Sequence, residues 1–138
     1  MPISQEFTIN MEDRPGTLGK FCRALANRNV NIIAFQSAPS GSQSAVHLVV
    51  DNPSTAKSVL DAEKVSYTET DVARVSLPHR VGELARAAEK LGDAKININF
   101  AYSGMEPEKN EPVLFFGVAD ASQAAKILDQ AAAAAAGR

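Results

Sequence analysis

The chain has 138 residues, enough for one domain of ordinary size or two very small ones. Hydrophobic residues make up 45%, and 14 basic against 16 acidic side chains leave a net charge of −2. That balance excludes the basic stripe of a nucleic-acid binder, and 6% aromatics without a single Trp argue against a base-stacking platform.

The opening Met1-Pro2-Ile3-Ser4-Gln5-Glu6 has no basic patch followed by an apolar run, so it does not read as a signal peptide. Residues 5–11 alternate, with Phe7, Ile9 and Met11 on one side, which is a strand period. Residues 14–18 turn into a helix, with Pro15 tolerated at its start. Leu18, Phe21, Cys22 and Leu25 then recur at helical spacing, and Asn27 to Asn29 supply the stop. Cys22 on that apolar stripe reads as a small core residue; as the one cysteine it cannot form an intrachain disulfide, which fits a reducing, cytoplasmic setting. Strands are expected at 30–38 and 45–51, joined through Pro39, Ser40 and Gly41. Asn52 to Thr55 cap a helix that runs to about Glu63, and Val65, Tyr67 and Thr68 begin a fourth strand. The pattern continues with a strand at 72–77, a helix at 81–92, strands at 95–103 and 112–119 and a helix at 121–135, where no apolar run approaches the length of a membrane span. Two histidines and one cysteine do not make a metal cluster.

The same order of elements occurs twice. A shift of 66 residues lays 7–38 over 73–104 without a gap, matching Arg14 to Arg80, Gly16 to Gly82, Leu18 to Leu84, Leu25 to Leu91, Asn31 to Asn97, Ile32 to Ile98 and Ser37 to Ser103. Lys20 meets Arg86, and a shift of 69 pairs Asp51 with Asp120 and Ala56-Lys57 with Ala125-Lys126. The fold class expected is α+β: two ferredoxin-like βαββαβ repeats over 1–70 and 71–138, antiparallel sheets with helices on one face. The second repeat ends in Ala131 to Arg138 where a last strand would stand, so that strand is missing, or the shared segment 64–77 or a partner chain completes the sheet.

Asp13-Arg14-Pro15-Gly16-Thr17-Leu18, then a helix, then Asn29-Val30-Asn31-Ile32, resembles the ACT domain family, small modules that bind amino acids and regulate metabolic enzymes. The second copy resembles a weaker member, with Arg80-Val81-Gly82-Glu83-Leu84 and Lys95-Ile96-Asn97-Ile98-Asn99, and Val81 in place of the turn proline. Serine-sensing members carry Asn where Asp13 stands and His where Met11 stands, so the resemblance does not imply serine. What it does imply is a stand-alone tandem protein without a catalytic domain, taking ligand where the first turn meets a neighbouring domain, often across a homodimer interface. The implied ligand-binding residues are Asp13, Arg14, Pro15, Gly16, Thr17, Leu18 and Asn31, and in the second copy His79, Arg80, Val81, Gly82, Glu83, Leu84 and Asn97.

Chemistry gives such a turn a reason to hold an amino acid. A helix start offers unpaired N–H groups and the positive end of the dipole to a carboxylate, and glycine permits close backbone approach. Asp13 suits the ammonium, and the Asn31 or Asn97 amide could bridge both ends of the zwitterion. Each feature also has a plain structural account. Gly16 and Gly82 are turn residues, Asn31 and Asn97 could fix the helix-to-strand turn, Arg14 and Arg80 are expected to be solvated or partner-facing, His79 is an exposed loop residue and His47 packs or faces solvent in its strand. The function expected is a non-catalytic regulator binding an amino acid, without cofactor, nucleic acid or membrane, and read by a metabolic enzyme or regulator. An acylphosphatase-like enzyme and a ligand-free pair serving only assembly are the alternatives; no nucleophile–base pair or phosphate loop supports the first.

Overall fold

The computed structural model describes residues 3–138. They form two compact units, one over residues 5–70 and one over 71–138 joined by residues 3–4.

The amino-terminal unit contains β1 (Ile3–Glu12), α1 (Thr17–Asn27), β2 (Ile32–Ser40), β3 (Gln43–Val50), α2 (Pro53–Glu63) and the first residues of β4 (Ser66–Ser76). Antiparallel pairing gives the order β2-β3-β1, with Leu48 opposite both Phe35 and Phe7. The alternation seen in the sequence decides the buried face: Phe7, Ile9 and Met11 point to a core completed by Phe21 and Leu25 of α1 and by Ala56, Val59 and Leu60 of α2. Cys22 packs partly buried against this core, and burial pushes its thiol pKa up. The hairpin after β2 is tighter than the expected loop at 39–41. Pro39 and Ser40 stay in the ladder opposite Ser44 and Gln43, because Gly41, at φ 63°, turns the chain at once.

The carboxy-terminal unit contains the rest of β4, α3 (Glu83–Asp93), β5 (Phe100–Glu106), β6 (Glu111–Gly117) and α4 (Ala121–Ala136). Its order, β5-β6-β4, is the first unit's order repeated. Ala73, Val75, Ala87, Leu91, Phe116, Ala124 and Leu128 fill its core. The helix ends repeat as well. Asn29 and Lys95 both take positive φ, and Val30 and Ile96 donate back to the carbonyls of Leu25 and Leu91. Both second helices carry a side-chain cap: Asn52 accepts from the Thr55 N–H and Asp120 from that of Gln123. These caps align Asn52, not Asp51, with Asp120, which corrects the pairing drawn from the sequence.

Other boundaries differ from expectation as well, two of them with a clear cause. The strand expected to begin at Val65 and the one expected at 72–77 are one strand, β4, since no Gly or Pro interrupts 66–76. The strand expected from 95 begins only at Phe100; residues 96–99 are held without regular structure, Ile96 N–H by the end of α3 and Asn99 N–H by the Gly117 carbonyl. No strand follows α4 among the described residues; Ser4 joins this unit, and Arg74 Nη1 donates to its hydroxyl. Among the described residues no helix is long and apolar enough to cross a membrane.

Candidate functional site

Both repeats open their first helix with the same bend. Gly16 stands at φ 90°, ψ −18° and Gly82 at φ 90°, ψ −10°, a conformation that strains any residue with a Cβ. Lys20 N–H bonds to the Gly16 carbonyl as Arg86 N–H does to that of Gly82. Neither glycine can give a side-chain cap, so the first N–H groups of α1 and α3 depend on other partners.

In the amino-terminal unit this bend lines a cleft of about 790 Å³. Arg14, Pro15, Gly16 and Thr17 form one wall, Asn10, Met11 and Glu12 of β1 another, and Lys20 and Phe21 of α1, Gln43 and the segment 63–66 close it. A Cβ added at Gly16 would meet nothing within 4 Å, so the bend is open. Three cations reach the cleft: Arg14, Lys20 and Lys64. Arg14 makes a 2.7 Å pair with Glu12, with both side chains about two-thirds exposed, a pairing of small worth that exchanges readily. No acidic residue stands in the first turn of α1, where Thr17 occupies the first position. Of the residues expected here, Asp13, Leu18 and Asn31 lie outside the cleft. Asp13 accepts from the Ser44 hydroxyl at 3.2 Å, Leu18 packs against the core, and Asn31 donates its N–H to Asp51 Oδ1 at 2.9 Å.

The second bend is closed. Glu83, first residue of α3, is 3% exposed, and three guanidinium groups surround its carboxylate. Arg80 Nη2 donates to Oε2 at 2.9 Å; Arg86, through Nε and Nη2, and Arg138, at 2.8 Å, donate to Oε1. Hydrogen bonds from Arg86 hold the Glu83 pKa down, from 4.5 to about 2, against the opposing effect of burial, with Arg80 and Arg138 assisting. Arg80 is therefore not merely solvated: it also donates to the main-chain oxygens of Ala135 and Arg138, tying the end of α4 to the bend. Only a cavity of about 140 Å³ remains, reached by Glu83 alone of the residues expected in this copy. His79 and Leu84 are exposed, Val81 is fully so, and Asn97 donates to Asn99 Oδ1.

Sequence reasoning passed over Glu12, Lys20, Lys64, Arg86 and Arg138. For Lys20 and Arg86 a signal existed: both stand four residues after their bend glycine, one helical turn away. His47 packs half-buried in its strand, as expected, but its partner was not read from the sequence. Its Nδ1 donates to Glu6 Oε1 at 2.9 Å, and Glu6 is 1% exposed on β1, where Thr8 joins the pair.

Residues 6–64 match the family model described as ACT domain. None of the curated proteins matches the sequence. Among solved structures, protein BT0572 from Bacteroides thetaiotaomicron superposes with a TM-score of 0.81 at 22% identity, over 94% of this chain and 88% of that one. The ligand-free regulatory subunit of aspartate kinase from Thermus thermophilus gives 0.63 at 18%, over 94% and 92%. Aspartate kinase from Clostridium acetobutylicum gives 0.55 at 14%, over 94% of this chain and 34% of the enzyme. At these identities the likeness is one of fold.

Proposed function

We propose that this chain, which contains an ACT domain over residues 6–64, is a non-catalytic sensor that binds a free amino acid in the cleft beside Gly16. The observation that carries the proposal is the contrast between the bends: one is open and borders a roomy cleft, the other is filled by its own chain. The cleft supplies what a zwitterion needs. Cations and the uncapped start of α1 suit a carboxylate, and Glu12, once Arg14 turns away, suits an ammonium. Asp13, expected to face the ammonium, is the poorer candidate because it lies outside the cleft. The regulatory setting is that of the Thermus subunit, which shares the fold. A homodimer in a reducing cytoplasm is the proposed working form; the free Cys22 thiol fits it. Ligand would act by favouring one packing arrangement over another, within the limit set by its difference in affinity for the two.

The test is a thermal-shift and calorimetry screen against the twenty standard amino acids. Binding at a hundred times the dissociation constant adds about 2.7 kcal/mol of stability, a shift of several degrees. One amino acid should shift the wild-type protein and fail to shift a folded Gly16→Val variant, whose side chain would enter the cleft. Silence from all twenty at millimolar concentration would reject an amino-acid sensor and favour a pair built only for assembly.

A further inference from the structure

The first helix of each unit carries an apolar face that its own core does not fully cover. In α3 the buried residues Glu83, Ala87 and Leu91 share one side. Leu84, Ala85, Ala88 and Gly92 recur at helical spacing on another, and Val81, one turn earlier, continues it. Val81 is fully exposed and Leu84 is 55% exposed, and a patch with large apolar groups in water marks an interaction surface. In α1 the matching positions hold Leu18, Gly19, Cys22 and Ala26. Gly19 and Ala26 are exposed, and Leu18 and Cys22 are half-buried. Each face thus joins one leucine to residues small enough for another helix to come close.

The charges beside the two faces differ in sign. The position of Arg23 in α1 is that of Glu89 in α3, and Asn27 gives way to Asp93. Arg23 and Glu89 are both exposed, and neither has an ion pair among the described residues. Two α3 helices packed together would oppose two acidic flanks, and two α1 helices two arginines; α1 against α3 matches the signs. Shape agrees. Laid antiparallel with Cys22 opposite Ala88, the leucine at the start of each helix falls on the small residue near the end of the other, Leu18 on Gly92 and Leu84 on Ala26, and Arg23 comes beside Glu89. Since each face is exposed in the single chain, the helix that covers it comes from a second copy.

We propose that α1 of one copy packs antiparallel against α3 of a second copy, a contact that a two-fold dimer makes twice. This rests on the homodimer named above as the working form and adds its interface; it requires no ligand.

Sedimentation of the ligand-free protein over a concentration series tests it. The wild-type protein is expected to dimerise. Arg23→Glu and Glu89→Arg each place like charges together in both contacts, and each should weaken the dimer at least tenfold. Mixed in equal amounts, the two variants should associate as tightly as wild type, because both contacts of the mixed dimer again pair opposite charges; that recovery also shows both variants to be folded. A wild-type protein that stays monomeric would overturn the homodimer and the interface together. A dimer indifferent to either substitution, or a mixture no tighter than its parts, would overturn the interface and leave the homodimer standing. The amino-acid screen reads the sensor proposal separately from both.

Discussion

Glu83 shows what one residue does in a duplicated fold. A carboxylate this deep is tolerated only when its lone pairs are met, and three guanidinium groups meet them. Its pKa in the folded chain, about 2, lies below its ordinary 4.5, so the folded state holds the ionised form more strongly than the unfolded one does. The resulting stability is complete above pH 4.5 and is lost as pH falls toward 2. Glu83→Gln should therefore flatten the fall in melting temperature across that interval while lowering the melting temperature at pH 7. Melting curves taken at half-unit steps check both, and an acid limb unchanged in the variant would mean that other carboxylates set it. Only part of this was legible locally. Arg86 lies three residues from Glu83, but Arg138 lies fifty-five away and meets it only because α4 returns across α3. The pair of Glu6 and His47 is hidden for a similar reason: it depends on the register that sets Thr8 opposite His47, and a strand's pattern fixes its faces but not its partner's register.

At the scale of elements the sequence was more open. Strand alternation and helical stripes located the cores, the glycines located the bends, and Asn52 announced its cap. What stayed hidden were the ends of elements that lack a strong stop. Nothing between 66 and 76 breaks β4, and Lys95, unlike Asn29, is a residue from which a left-handed turn would not be guessed. The capped and uncapped helices divide by role. The second helix of each unit starts on a side-chain acceptor, while the first helices leave their starts to glycine. Asn52→Ala and Asp120→Ala should each cost about 1 kcal/mol in urea denaturation, with the slope unchanged. Neither should alter binding in the cleft, since neither residue lines it. A cost near zero in either would mean that water replaces the cap without loss.

Over the whole molecule, duplication has kept the interiors alike and let the bends diverge. Leu25 and Leu91 stand at matched positions, both with no exposure, each on its unit's first helix and each in its own cluster. The clusters differ in size at one matched position, where Phe21 gives way to Ala87, and the longer α4 adds Ala131 and Ala135 beyond the residues matching α2. Smaller neighbours come closer and relax further when a side chain is removed, so the residual cavity, and with it the cost, depends on the copy. Leu25→Ala and Leu91→Ala should each destabilise by about 2–5 kcal/mol, the larger value falling on Leu25, whose bulky neighbours can collapse least. Denaturation midpoints at fixed slope measure the difference, and a larger loss for Leu91→Ala would show that the alanine face of α4 is the more rigid wall.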